Sequence, residues 1–105
     1  MGYQTEETAI ARKLVEWLKK KQLEGAPLLW EHRSGSGGYS YQKGRPDFWV
    51  SANGHHIEME LKAPDGKLSP MQEQFRWRCG GWHVPYCCPR SAEEAIEFIE
   101  LWLLS

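Results

Sequence analysis

Three residues in the middle of the chain have the types and spacing that metal-assisted phosphate chemistry requires. Asp47 follows Pro46, and after twelve further residues the chain reads Glu60-Leu61-Lys62. Two carboxylates are suited to holding Mg²⁺, and a nearby lysine can orient or deprotonate a water or stabilise charge developing at phosphorus. Because so short a motif also arises by chance, its interpretation depends on whether the intervening residues bring these side chains together.

The residues between the two acids predict a β-hairpin. Segments 47–52 and 55–61 are rich in aromatic and β-branched residues, and the second alternates polar with apolar side chains. Asn53-Gly54 between them is typical of a two-residue type I′ turn, which needs positive φ at both positions.

In this hairpin register, Asp47 and Glu60 become direct cross-strand neighbours with Cβ atoms about 4.5–5.5 Å apart. The two-residue period places Glu58, Glu60 and Lys62 on the same face as Asp47. Facing carboxylates repel each other, so this arrangement predicts a compensating cation. The alternative is an exposed hairpin with a solvated charged face, and a bulge would shift the register.

The motif order resembles the VRR-NUC (virus-type replication-repair nuclease) branch of the PD-(D/E)XK nuclease superfamily. The resemblance rests on Gly44-Arg45-Pro46-Asp47, Glu60-Leu61-Lys62 and the downstream block Gly66-Lys67-Leu68-Ser69-Pro70-Met71-Gln72. It runs in order through about residues 5–90. It implies that Asp47 and Glu60 bind a metal ion, that the backbone carbonyl of Leu61 is a further ligand, and that Lys62 is catalytic.

Two further site residues follow from the resemblance. It implies that Gln72 reaches back to the site, whereas Ser69-Pro70-Met71-Gln72 by itself favours a capping box in which Gln72 bonds the Ser69 backbone. It also implies an acid on the first helix, for which Glu7 is the best match and Glu6 remains open.

The hydrophobic periodicity predicts an α/β fold in the order α-β-β-β-α-β-α, with a mixed four-stranded sheet that resembles the PD-(D/E)XK core. We expect one domain over residues 1–105. Besides the hairpin, its elements are a helix over 5–23, a strand over 28–33, a helix opened by Ser69 and ended by Gly80-Gly81, a strand over 83–87 and a helix from Ser91 to about Leu104.

A Gly/Ser-rich segment, 34–46, leads the chain to Asp47. Its simplest interpretation is a flexible connector, but long loops in compact domains are often functional. Aromatic and basic side chains there could stack on unpaired bases or bind phosphates. The candidate nucleic-acid contacts are Arg33, Tyr39, Tyr41, Lys43 and Arg45. On the second helix, Arg76 and Arg78 are two residues apart and point to different sides.

Composition excludes little. The formal net charge is −1, so no overall basic character announces a nucleic-acid partner. The chain begins with a polar, acidic stretch rather than a signal sequence and has no apolar run near the length of a membrane span. Three cysteines cannot all pair within the chain, and we expect a reducing intracellular setting, the cytoplasm of a bacterium or of a phage-infected host.

A zinc site is disfavoured, although Cys79, His83 and Cys87 are spaced by four residues. Gly80-Gly81 interrupts any helix that would align them, and no Cys-X-X-Cys pair exists. We expect structural cysteines instead.

The resemblance implies a Mg²⁺- or Mn²⁺-dependent DNA endonuclease, acting on branched DNA such as four-way junctions, and a symmetric homodimer. The alternatives are a non-catalytic DNA-binding or assembly module with the same fold, and a small dimerisation protein. Loss of a motif residue is the expected signature of the non-catalytic module, and Asp47, Glu60 and Lys62 are all present.

Overall fold

The computed structural model describes residues 5–33 and 44–104. Helix α1 (Glu6–Leu23) is followed by strands β1 (Leu28–His32), β2 (Phe48–Ala52) and β3 (His55–Met59). Helix α2 (Pro70–Gly81), strand β4 (Tyr86–Cys87) and helix α3 (Ala92–Trp102) complete the chain. The predicted order of elements and the α/β class are confirmed.

The four strands form one mixed sheet in the order β1-β2-β3-β4. β1 pairs with β2 and β2 with β3 in antiparallel fashion, whereas β4 joins β3 in parallel. A parallel neighbour requires a crossover connection, and α2 lies in that connection.

The central hairpin has the predicted register. Asn53 and Gly54 have φ angles of 52° and 80°, as a type I′ turn requires. The ladder pairs Ala52 with His55 and continues to Phe48 with Met59. Both strands are shorter than predicted, so the two motif acids lie immediately beyond the last pair.

The core lies between the sheet and helices α1 and α3. Buried side chains from β2 and β3 pack against buried leucines of α1 and the apolar side of α3. This cluster includes Leu14, Leu18, Phe48, Val50, Ile57, Met59, Leu61, Ile99 and Leu103. Alternation along β2, where Phe48 and Val50 are buried and Trp49 is half-buried, follows from the strand period.

The fourth strand is much shorter than the predicted 83–87. His83 has a positive φ of 58°, and the backbone N–H of Val84 still bonds the carbonyl of Cys79 at the end of α2. Residues 83–85 therefore complete the helix exit, and β4 begins only at Tyr86. Among the described residues, no helix combines the length and apolar character needed to cross a membrane.

Candidate active site

Backbone contacts from two directions fix the segment that carries Asp47. Gly44 has a φ of +85°, and a Cβ atom there would lie 2.4 Å from the carbonyl oxygen of Met71, so only glycine fits against the start of α2. From β1, the backbone N–H of Arg33 donates to the carbonyl of Asp47 at 2.7 Å. The chain therefore enters β2 in one fixed position.

Asp47 is bonded directly to the Glu60-Leu61-Lys62 segment. Its Oδ2 atom accepts a hydrogen bond from the backbone N–H of Leu61 at 3.0 Å. The same segment is held on its other side by the end of β4 and the residues that follow it. The N–H of Glu60 donates to the carbonyl of Cys87 at 3.0 Å, and that of Lys62 donates to the carbonyl of Pro89 at 3.2 Å. The structure thus brings together the two motif acids that the hairpin pattern paired.

Glu60 is the most unusual ionisable group of this site. It is only 2 % exposed, and its Oε1 atom is buried without a hydrogen-bond partner among the described residues. Burial raises the pKa of Glu60 to about 9, and the nearby Asp47 carboxylate reinforces the shift while Lys62 opposes it. A buried, unpartnered carboxylate oxygen beside a second carboxylate is the environment that a bound cation would stabilise.

A cavity of about 570 Å³ opens beside Asp47 and Leu61. One face of α1 forms its opposite wall, from Glu7 near the helix start to Lys19 near its end. Glu7 also contributes to the raised pKa of Glu60, whereas Glu6 lines a different depression, beside Pro64 and Arg90. The position of the helix acid therefore favours Glu7 over Glu6, and its role as a ligand stays a prediction.

The donor set fits a hard divalent cation bound with several waters. Residues 5–33 and 44–104 contain no cluster of three or more His, Cys, Asp or Glu side chains that could hold a metal ion, so a cation here would depend on two carboxylates, a backbone carbonyl and water. Asp47 and Glu60 would supply the charge and Leu61 a carbonyl oxygen, and Mg²⁺ characteristically uses one or two carboxylates and keeps its waters.

Glu58 and Asp47 line different cavities. Glu58 lines a separate cavity together with residues of α2, whereas Asp47 lines the cavity against α1. The two-residue period itself continues through this segment, because the backbone N–H groups of Glu58, Glu60 and Lys62 donate in turn to carbonyls of residues 85, 87 and 89.

Glu58 instead accepts from a buried arginine and contacts a histidine. Arg33 Nη1 lies 2.8 Å from Glu58 Oε1, and His56 Nε2 lies 2.6 Å from Oε2. Arg33 Nη1 also donates to the carbonyl of Pro46 at 3.0 Å, directly before Asp47. The Arg33 side chain is only 13 % exposed and holds the segment that precedes Asp47, and its contact with nucleic acid stays a prediction.

The remaining predicted residues divide into three groups. Gln72 is engaged in the capping box: its Oε1 accepts from the Ser69 N–H at 2.8 Å, and Ser69 Oγ accepts from the Gln72 N–H at 3.2 Å.

Lys62 is half-buried and close enough to Glu60 to lower its pKa, and Arg45 is also half-buried. Tyr39, Tyr41 and Lys43 lie outside the described residues.

Sequence reasoning missed several residues of the α1 cavity. Thr8, Arg12, Lys19 and His32 line it. The imidazole of His32 stacks on Phe48, with ring centroids 4.3 Å apart and planes at 2°. In the sequence, only their spacing could have indicated that the α1 residues share a surface. Thr8, Arg12 and Lys19 follow the three-to-four-residue period that places polar side chains on one helix face.

The cysteines have the structural role that the sequence predicted. Cys79 and Cys87 are buried and Cys88 is half-buried, and all three are free thiols. Burial raises the pKa of Cys87 to about 12, which makes it unreactive at neutral pH.

Comparison with known proteins gives a match at the level of structure. No family model and no curated protein sequence matches the chain. A solved structure described as "VRR_NUC domain" superposes with a TM-score of 0.69 and 21 % sequence identity, covering 94 % of this chain and 99 % of the other. The resemblance inferred from the sequence motifs is therefore confirmed at the level of the fold: this chain has the VRR-NUC fold.

Proposed function

We propose that the protein is a divalent-metal-dependent DNA endonuclease that hydrolyses phosphodiester bonds. One observation carries the proposal: the buried Glu60 has an unpartnered oxygen, and Asp47 beside it is fixed by the N–H of Leu61 at the mouth of an open cavity. The VRR-NUC fold supports the same activity, because the Asp47, Glu60 and Lys62 motif lies in a chain of that fold.

In this proposal Asp47, Glu60 and the Leu61 carbonyl hold Mg²⁺ or Mn²⁺, with Glu7 across the cavity assisting. The chemistry that such an ion would supply is polarisation of the phosphate and activation of a water for attack. Lys62 positions the attacking water and stabilises the negative charge that develops on the phosphate. Gln72, whose Oε1 is engaged at the helix cap, would act on Lys62 or a phosphate only through its amide nitrogen.

We further propose that the substrate is branched DNA, such as a four-way junction, and that the active form is a homodimer. Two-fold symmetry supplies one active site for each of two strands. An apolar strip on the outer side of α3 supports self-association: Phe98, Leu101 and Trp102 are 40 %, 68 % and 52 % exposed.

The decisive experiment compares the wild type with Lys62→Ala on labelled four-way-junction, flap and blunt duplex DNA in Mg²⁺, Mn²⁺ or EDTA. We expect metal-dependent cutting that the variant loses by at least about 100-fold, in line with the loss of a group acting in proton transfer. Lys20→Ala, which removes an exposed lysine from the C-terminal half of α1, is the matched control and should cut like the wild type.

Two results would reject the proposal in different ways. DNA binding without cutting by any protein would indicate a non-catalytic binding module with the nuclease fold. Cutting that persists in EDTA or in Lys62→Ala would show a contaminating nuclease or a different active site.

A further inference from the structure

We infer that a surface on α2, separate from the α1 cavity, binds unpaired nucleotides next to the cleavage site. The surface consists of Trp82, Arg78 and Arg45 and is referred to below as the Trp82 surface. The nature of its ligand rests on the proposed nuclease function. The residues themselves are placed by the structure alone.

Trp82 is the first reason for the inference. It is the C-cap residue of α2, and its side chain is 81 % exposed. Exposure of so large an apolar surface to water is unfavourable unless a ligand covers it. It lines a cavity of about 390 Å³ together with Phe75 of α2 and Val84. This volume lies within the range of roughly 300–1,000 Å³ that is usual for ligand pockets. An aromatic ring that is open on one side of such a cavity suits stacking by a nucleobase.

Charge is the second reason. Three arginines and one glutamate line the cavity, and the glutamate, Glu58, is already paired with Arg33 at 2.8 Å. Arg45 and Arg78 form no ion pair with any described residue. Within the described part of the chain, the cavity therefore carries two cations without an ion-pair partner beside an exposed aromatic ring. This combination matches the phosphates and bases of an unpaired strand rather than an apolar protein surface.

Position is the third reason. Arg45 precedes Asp47 by two residues, and two residues of extended chain span at most about 7 Å. The carbonyl between them, that of Pro46, is bonded by Arg33, which lines the same cavity. A strand lying across the Trp82 surface would thus lead directly to the metal-binding acids.

The same helix offers a matched control. Trp77 is 78 % exposed, but it lies in a neighbouring depression formed by α2 residues alone, with Glu73 and Arg76. There the cation faces a carboxylate at 4.0 Å. Trp77 therefore has the chemistry and exposure of Trp82 without the unpaired arginines or the link to Asp47.

The test measures binding of a fluorescein-labelled oligo-dT and of a blunt duplex by fluorescence anisotropy in EDTA, where cutting is absent. We expect Trp82→Ala to weaken oligo-dT binding by roughly 5- to 150-fold, the range for loss of one base stack. Trp77→Ala should stay within twofold of the wild type. Arg78→Ala should weaken binding and lower the slope of log K against log salt by about 0.7, since one phosphate contact to a single strand is lost.

Cleavage assays on the four-way junction separate the two proposals. Weakened oligo-dT binding by Trp82→Ala, with oligo-dT binding and metal-dependent cutting of the four-way junction both retained by Trp77→Ala, supports the inference. If the wild type cuts DNA but oligo-dT binding is equally insensitive to Trp82→Ala and Trp77→Ala, the Trp82 surface is refuted and the nuclease stands. If nothing is cut but binding still depends on Trp82, the nuclease fails and the surface stands.

Two controls guard the interpretation. Near-equal melting temperatures for the two tryptophan variants establish that both remain folded, as their exposure predicts. Arg78→Glu is a second variant that leaves both rings in place, and it should weaken oligo-dT binding by repelling the phosphates. A change of sedimentation coefficient in Trp82→Ala, without a change in oligo-dT binding, would overturn the inference in favour of a protein interface.

Discussion

At the scale of single residues, Glu60 shows how a candidate active site conflicts with stability. Its carboxyl group is buried beside Asp47, and one oxygen has no partner among the described residues. A buried polar group without a hydrogen bond costs about 1–3 kcal/mol. Its backbone is nevertheless held in place, because the N–H of Glu60 donates to the carbonyl of Cys87 at the end of β4.

Replacing this residue should stabilise the metal-free protein. The pKa of Glu60 is raised from 4.5 to about 9, so between these values the folded state holds a proton that the unfolded state releases. Stability of the wild type in EDTA should therefore fall as pH rises through this window. Glu60→Gln cannot ionise and should be more stable than the wild type at pH 8, by about 1–3 kcal/mol.

Urea unfolding of both proteins at pH 5 and pH 8 measures the effect, because the difference between them isolates the Glu60 contribution. Added Mg²⁺ should stabilise the wild type and leave Glu60→Gln unchanged. A variant that is less stable than the wild type at pH 8 in EDTA would contradict the origin assigned to the pKa shift.

Gly44 is the second residue whose role is set by its surroundings. Gly44→Ala would place a methyl group 2.4 Å from the Met71 carbonyl at a φ of +85°, and should cost more than about 2 kcal/mol in unfolding free energy. Gly54→Ala has a similar φ of +80° with no atom within 4 Å, and should cost only about 1 kcal/mol. Equal decreases in stability for the two variants, measured by thermal unfolding, would show that Gly44 does not pack tightly against the Met71 carbonyl of α2.

At the scale of elements, the cap of α2 contains Gln72, which the sequence also predicts as a residue of the candidate site. Ser69 and Gln72 bond each other's backbone N–H groups, and Pro70 occupies the first helical turn. Ser69→Ala should cost about 1 kcal/mol of unfolding free energy, because an orphan N–H of the first turn loses its acceptor.

Gln72→Glu separates the two roles proposed for Gln72. A glutamate at this position completes a capping box equally well, so stability should be retained. Cleavage that also remains within about threefold of the wild type would assign Gln72 to the cap alone. A large loss of cleavage at unchanged stability would assign its amide to the reaction.

The link between β1 and β3 depends on a buried ion pair. Glu58→Ala leaves the Arg33 guanidinium buried without its 2.8 Å partner, and should cost about 3–5 kcal/mol in urea unfolding. The double variant Arg33→Met, Glu58→Met should lose much less, since neither charge is then stranded. Additive losses from the two single variants would argue against direct coupling of Arg33 and Glu58.

At the scale of the whole molecule, the outer side of α3 is the strongest candidate for a dimer contact. Trp102→Glu places a charge on this apolar strip, so sedimentation velocity should show a shift from dimer to monomer. Trp77→Glu introduces the same charge on α2 and should leave the oligomeric state unchanged. A wild type that sediments as a monomer at micromolar concentration would remove the homodimer from the proposal.

Much of this molecule follows from local sequence. Asn53-Gly54 determines the turn, and the turn determines the register that brings Asp47 next to Glu60, because pairing propagates residue by residue from a two-residue loop. Ser69-Pro70-Met71-Gln72 likewise determines the start of α2 through contacts within four residues. The hydrophobic periodicity was sufficient to predict the order of helices and strands, because each amphipathic element must bury its apolar face.

Only the tertiary structure decided which side chains share a surface. The ion pair between Arg33, which follows β1, and Glu58 of β3 could not be read from the sequence. Likewise, Glu7 rather than Glu6 lines the Asp47 cavity because of the rotation of α1 against the sheet. The Trp82 surface likewise joins residues 45, 78 and 82, which lie on a loop and at the end of a helix. Such neighbours are set by packing between elements, and the period of one element contains no information about the rotation of the next.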